Sequence, residues 1–287
     1  MKILVTGGSG FIGSHLVEAL LQEGCDPIIF DEASPHFTPA VPFIRGSVTN
    51  RALVRTAADG VDAIFHLAAV LGTHETIERA HATAEVNVLG TLNILDAARE
   101  LDASVLYVTK PNYWSNPYTV TKVAGEGFAS MYRDEFNLNV RVVRCYNVYG
   151  PRQRTDIYQK AIPTFVTRAL RGEPLPVYGD GTQGTDHIFV SDAVAAMIAV
   201  FGSRTTCREV VDIGSGREIT VNQIVESVLR FTRSASSIEY IPMRRGEQPQ
   251  TGIQANTDRL RDLGFVPQVE FEEGLRRTID FYRSLGT

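Results

Sequence analysis

The sequence predicts an α/β fold, a doubly wound parallel sheet followed by a smaller mixed α/β C-terminal part. Three observations predict it. Short, nearly continuous apolar runs such as ILV, IIF and VLYV alternate with helix-length segments through the first half of the chain, as strands covered on both faces require. A glycine-rich turn, TGGSGFIG at 6–13, joins the first run to the first helical segment. After Gly150-Pro151 the rhythm loosens into shorter patterns broken by proline and glycine, which marks a second architecture.

Taken in order, strands are expected at Ile3–Thr6, Pro27–Asp31, Pro42–Arg45, Ala63–His66, Ser104–Thr109 and Val140–Cys145. Each is apolar and rich in β-branched or aromatic residues. Helices are expected at Ile12–Glu23, Ala84–Leu101 and Tyr118–Phe136, filling the crossovers that parallel strands need. Beyond residue 150, helical patterns run over 161–171, 191–201, 220–232 and 272–284. VVDIGSG at 210–216 reads as one more strand returning to the main sheet. The domains are therefore 1–150, completed by about 187–215, and a discontinuous second part within 151–287.

Bulk properties narrow the function classes. At 287 residues the chain can bury a large core in one or two domains, and 44% apolar with 21% charged residues is ordinary for a soluble globular protein. A net charge of −5 without any basic run offers nothing to nucleic acid or an anionic membrane surface. No apolar run approaches the roughly 18 residues that cross a bilayer, and the chain enters MKILVTGG without a secretory h-region. Cys25, Cys145 and Cys207 are scattered, with no CxxC spacing, so a reduced cytoplasmic protein without a zinc site is expected. His66 closes a strand, while His74, Glu75 and His81 read as solvated loop residues rather than metal ligands.

In the turn, Gly7, Gly10 and Gly13 fall at a G-x-x-G-x-x-G spacing. Glycine there permits a tight turn, close backbone approach to a pyrophosphate, and close packing of helix on strand. The helix N-terminus adds free N–H groups and a positive dipole end. Asp31 closes the second strand eighteen residues after Gly13, where a carboxylate accepts hydrogen bonds from adenosine ribose hydroxyls and repels a 2′-phosphate. No arginine follows closely, so NAD rather than NADP is predicted.

PYTVTK at 117–122 sets Tyr118 and Lys122 one turn apart on a helix face. Alone, the pair reads as a tyrosine packed on a lysine stem. Coupled to the glycine turn and to its place after the fifth strand, it reads as a proton-transfer site. A phenol is a poor base at neutral pH, but a neighbouring ammonium and a positive nicotinamide ring favour the phenolate.

With these residues assembled, the chain resembles the extended short-chain dehydrogenases/reductases, in particular the NAD-dependent nucleotide-sugar epimerase/dehydratase group, over nearly its whole length. TGGSGFIG resembles the family's glycine loop, FHLAA at 65–69 its fourth strand, and NVLGTLNILDAAR at 87–99 the following helix. PYTVTK is similar to its catalytic helix, VRCYNVYGPRQ at 142–153 to its sixth strand and first substrate loop, and VYGDGTQGTDHIFVSDAV and VVDIGSGREITV to later segments. The resemblance implies a Rossmann-type domain with a smaller substrate domain. It makes Tyr118 the acid/base and Lys122 the holder of the nicotinamide ribose. Cofactor contacts are implied at Gly7, Gly10, Phe11, Ile12, Gly13, Asp31, Glu32, Ser47, Val48, Leu67, Ala68 and Ala69. Asn147 and either Arg244 or Arg245 are implied to bind the diphosphate of a nucleotide sugar, a bidentate duty that suits a guanidinium. The helices over 84–101 and 118–136 resemble the pair through which family members form homodimers.

The departures matter too. Family members carry a serine-rich turn after strand five and some two dozen further residues before the tyrosine; YVTKPNYWSNPYTVTK compresses that segment. Thr109 is the best hydroxyl to polarise the substrate's C4 oxygen, with Ser115 second. Where dehydratases and decarboxylases carry acids, this chain has Lys110 and Pro111, which argues against elimination of water. Ser47 replaces an adenine-contacting aspartate and Thr185 a phosphate-binding arginine. The function implied is a nucleotide-sugar 4-epimerase with bound NAD. The alternatives are a nucleotide-sugar 4-ketoreductase and a non-catalytic NAD-binding protein of the same fold.

Overall fold

A computed structural model describes residues 1–38, 40–111, 114–156, 158–203, 209–247 and 252–286; Cys207 lies outside them. The chain divides into two units, Met1–Cys145 with Val194–Val211, and Tyr146–Ala193 with Asp212–Thr287.

The first unit is built on strands β1 (Lys2–Thr6), β2 (Asp26–Asp31), β3 (Phe43–Arg45), β4 (Ala63–His66), β5 (Ser104–Thr109) and β6 (Val140–Cys145). Their registers are parallel, as in Ile3↔Pro27, Ile3↔Ala63 and Val105↔Val140. A short further strand over Val211–Ile213 joins the edge beside β6, giving a seven-stranded sheet in which β1 lies between β4 and β2. Successive strands thus run outward in opposite directions from β1, and the strand order reverses between β1 and β4. In open α/β sheets that reversal opens a crevice at the carboxyl ends of the strands. Helices α1 (Phe11–Gln22), α2 (Arg51–Ala57), α3 (Ala80–Ala84), α4 (Gly90–Leu101) and α5 (Pro117–Phe136) supply the crossovers. The core joins Leu4, Phe30, Ile64, Val105, Tyr107 and Val142 of the sheet to Ile94, Leu95 and Ala129 of the helices.

One expectation is corrected. The stretch expected as a helix over Ala84–Leu101 is helical to its predicted end, but it passes through a π turn (Glu85–Leu89) into α4 and is preceded by a 3-10 turn (His74–Arg79) and α3. The π turn carries Asn87, whose amide is buried and fully used; such bulges arise where a side chain must be re-aimed.

The second unit holds β7 (Asn147–Tyr149), β8 (Leu175–Tyr178), β9 (Gly184–Phe189), β11 (Glu218–Thr220) and β12 (Ile238–Ile241), the Val211–Ile213 strand counting as β10. β9 pairs parallel with β7 and antiparallel with β11, while β8 and β12 form a separate parallel pair. Helices α6 (Ala161–Arg171), α8 (Val221–Thr232) and α10 (Phe271–Ser284) pack over them with the short α9 (Asp258–Asp262), while α7 (Val190–Gly202) belongs from Val194 on to the first unit. The buried Asp186 carboxylate accepts from Ser215 N (2.7 Å), Ser215 Oγ (2.8 Å), Gly216 N (2.7 Å) and Ala255 N (3.1 Å), and so ties three segments of this unit together.

Candidate active site

The glycine turn is forced by contact. Gly7 has φ +73°, a left-handed backbone, and a Cβ there would lie 2.8 Å from Ala68 N. A Cβ on Gly13 would overlap Gly7 O, so the first turn of α1 can close on the loop only with glycine at 13. Around Gly10, by contrast, only Gly7 O stands within reach of a Cβ, at 3.1 Å. Gly10 gives α1 no side-chain cap, and no acidic residue stands in the helix's first turn. The positive helix end at Phe11 and Ile12 therefore faces the loop unneutralised, and this cradle fits a pyrophosphate. Asp31 accepts from Ser9 N and Ala33 N, each at 3.0 Å, clamping the loop to the end of β2. Burial raises the Asp31 carboxyl above its ordinary value against the lowering effect of these bonds. Glu32 is exposed. Ser47 Oγ accepts from the Thr49 hydroxyl at 2.9 Å, while buried Val48 offers its carbonyl to Asn93 Nδ2 at 2.9 Å.

Beyond β4, Leu67 N donates to Thr6 O (3.1 Å) and Ala68 N to Thr6 Oγ1 (3.2 Å). His66 is fully buried between Thr6 Oγ1 (2.7 Å) and Thr91 Oγ1 (3.1 Å). Burial, with the nearby Lys122 charge, drops its pKa to about 3, so it is a neutral spacer. Asn87 donates to Val70 O (3.0 Å) and Thr121 Oγ1 (3.0 Å) and accepts from Val70 N (2.7 Å). It thus fixes the segment running on from Ala69 against α5. The NVLGT motif marked this asparagine without revealing its partners.

Helix α5 starts where Asn116 caps it, accepting from Thr119 N at 3.0 Å with Pro117 in the first turn. Tyr118 is half-buried in that first turn. Lys122, one turn on, is buried, and its ammonium lies 4.3 Å from the centre of the Tyr107 ring. Desolvation lowers its pKa to about 7. Beneath the helix, Tyr107 Oη and Thr109 Oγ1 donate to Lys122 O at 3.2 and 3.3 Å.

Thr109, expected to polarise the C4 oxygen of the sugar, is 2% exposed, and the bond from its hydroxyl to a helix carbonyl ties β5 to α5. Ser115 is exposed. Near Tyr118 lies Lys110, whose ammonium is 5.7 Å from the ring centre and donates to Thr119 Oγ1 (2.8 Å) and Pro111 O (2.9 Å).

In the second unit, Asn147 donates to Asp186 O at 3.2 Å. Arg244 forms a fork with Glu247 (3.0 and 2.5 Å), donates to Gln159 O (2.9 Å), and stacks on Tyr178 with its Cζ 4.6 Å from the ring centre. Arg245 is exposed, which makes Arg244 the more preorganised of the two. Thr185 Oγ1 lies 3.1 Å from Nε2 of His187, whose pKa burial lowers to about 4. His74 pairs with Glu75 at 3.3 Å, and among the described residues no group of three His, Cys, Asp or Glu could hold a metal.

A phosphate-cradling turn at the switch point of a parallel sheet, with a Tyr-x-x-x-Lys helix after β5, defines a Rossmann-type protein of the short-chain dehydrogenase/reductase kind. The chain belongs to the NAD-dependent epimerase/dehydratase family, whose model matches residues 3–214. It is 31% identical to a UDP-N-acetyl-alpha-D-glucosaminuronate decarboxylase from Bacillus cytotoxicus, over 99% of this chain and 98% of that one. That alignment runs over 319 positions against the 287 residues here, so the relative carries stretches this chain lacks. Among solved structures, the UDP-glucose 4-epimerase of Thermotoga maritima, crystallised with UDP-glucose, superposes with a TM-score of 0.92 at 27% identity over all of both chains. The UDP-glucose 4-epimerase of Thermus thermophilus, in complex with NAD, has a TM-score of 0.90 at 28% identity over 99% of each chain.

Proposed function

We propose that the chain is a nucleotide-sugar 4-epimerase that keeps NAD bound through each turnover. The observation that carries this is the first turn of α5 with the end of β5. A half-buried Tyr118 stands there with the Lys110 ammonium 5.7 Å from its ring centre, and the positions after Thr109 hold Lys110 and Pro111 instead of acids. The base that would remove a C5 proton for dehydration is missing at these positions, whereas proton exchange at the C4 oxygen needs only the phenol.

Gly7, Gly10 and Gly13 with the α1 N-terminus would hold the pyrophosphate of NAD, Asp31 the adenosine ribose, and Lys122 the nicotinamide ribose. When bound, NAD accepts a hydride from the sugar C4 and returns it, so no external reductant is consumed. Tyr118 takes the proton of the C4 hydroxyl and gives it back after the sugar has turned its other face. Asn147 and Arg244 would anchor the diphosphate so that only the sugar moves. The exposed residues Val120, Gly127 and Met131 lie along one face of α5, which supports a homodimer; a monomer in sedimentation at micromolar concentration refutes it. Cys25 and Cys145, scattered singletons among the described residues, suit a cytoplasmic setting.

The test is a panel of nucleotide sugars offered to the purified protein. Interconversion of C4 epimers without net change in nicotinamide absorbance is expected, and Tyr118→Phe should abolish it while NAD remains bound. Stoichiometric NADH consumption with a 4-keto sugar, and no epimerisation, makes the protein a ketoreductase instead.

A further inference from the structure

Close to the ring of Tyr118 lies the ammonium of Lys110. Lys110 leaves the end of β5 and folds back onto the start of α5, its ammonium fixed to Thr119 Oγ1 at 2.8 Å and Pro111 O at 2.9 Å. Thr119 is fully buried and directly follows Tyr118, so the ammonium is tied to the turn that carries the phenol. Its 5.7 Å from the Tyr118 ring centre is within the range of cation–π attraction, and Trp114 lies at 6.0 Å on the same cation.

Other titratable groups near this turn, among the described residues, sit in contacts of their own. Lys122 is buried against Tyr107, where burial takes away much of its charge near neutral pH. Glu126 of α5 is paired with Arg144 of β6 at 2.8 Å. Tyr107 of β5 is held neutral by burial, as is His66 at the end of β4. Cys145 of β6 faces Lys122, and His74 and Glu75 of the 3-10 turn pair with each other. Among the described residues, Lys110 is a cation held within 5.7 Å of the Tyr118 ring centre.

We propose that Lys110 is a positioning residue that acts through Tyr118, its fixed ammonium stabilising negative charge on the phenol oxygen as that oxygen takes a proton from the sugar. The helix N-terminus under Tyr118 adds to the same field. The proposal rests on the reading of Tyr118 as the acid/base. It gives the lysine, which stands where relatives with elimination chemistry carry acid, a duty of its own.

The test compares Lys110→Arg, Lys110→Gln and Lys110→Met with the parent holoenzyme. Glutamine keeps donors without charge, and arginine keeps charge. The tyrosinate absorption band is titrated in each, with the matching Tyr118→Phe variant subtracted. The ionisation midpoint of Tyr118 should move to higher pH in the glutamine and methionine variants and stay near the parent in arginine. The acid limb of kcat/KM should move with it, so that kcat/KM at neutral pH falls about ten- to hundredfold and recovers at alkaline pH. If the parent epimerises, Tyr118→Phe does not, and the glutamine profile coincides with the parent's, the proposal is overturned while the epimerase reading stands. If no nucleotide sugar is epimerised but the midpoint shifts as stated, the epimerase reading falls and the Lys110–Tyr118 coupling holds.

Discussion

Replacing Lys122 with methionine should stabilise the fold near neutral pH, and the gain should fade as the pH rises. The side chain is 3% exposed, and burial lowers its pKa from 10.5 to about 7. Because the folded value lies below the unfolded one, folding releases a proton between those two pH values. The cost of the charged lysine is complete below about pH 7 and is relieved as the pH climbs toward 10.5. At 1.36 kcal/mol per unit, this corresponds to roughly 3–5 kcal/mol. Methionine forgoes the ammonium's contact with the Tyr107 ring, worth about 1–2 kcal/mol when desolvated. The bonds from Tyr107 and Thr109 survive, since both end on the backbone carbonyl of residue 122. A net gain of about 1–4 kcal/mol is therefore expected near pH 7, approaching zero or turning negative toward pH 10. The assay is urea unfolding of both proteins, freed of bound nucleotide, across that range, with the difference taken at each pH. His66 and the other titrating groups are common to both and largely cancel. A difference that stays flat, or grows with pH, refutes the argument that burial depresses this lysine.

Three further outcomes follow from the same geometry. Gly13→Ala should weaken NAD binding at least tenfold by calorimetric titration, because its Cβ would overlap Gly7 O and push α1 off the loop; an unchanged affinity means that the loop does not hold the pyrophosphate. Thr109→Val should cost about 1 kcal/mol in urea unfolding and leave kcat nearly unchanged. A collapse of kcat with stability intact would restore the hydroxyl to the chemistry. Asp186→Asn turns an amide N–H toward backbone donors at Ser215, Gly216 or Ala255, and should cost about 2–5 kcal/mol in the second unit. An equal midpoint in urea for the two proteins contradicts that.

The sequence determined what depends on neighbours close along the chain. β1, the glycine turn, α1 and Asp31 are adjacent, and apolar runs, turn glycines and a helix N-terminus carry their meaning locally. The bounds of β4, β5 and β6 were legible for the same reason, and α5 was displaced by a single residue at its start. Tertiary packing alone decided where side chains from separate elements meet. Thr109 looked like the available hydroxyl until α5 lay across β5 and Lys122 O captured it. Lys110 looked like a lost acid until its ammonium reached Thr119 beside the phenol. Asn87 was one letter in a helical motif until the π turn aimed it at Val70. The cause is common to all three: a strand end or helix start fixes the direction of its own side chains, but a hydrogen-bond partner on another element, 9 to 17 residues away here, is chosen only when the elements pack and every buried polar group must be satisfied.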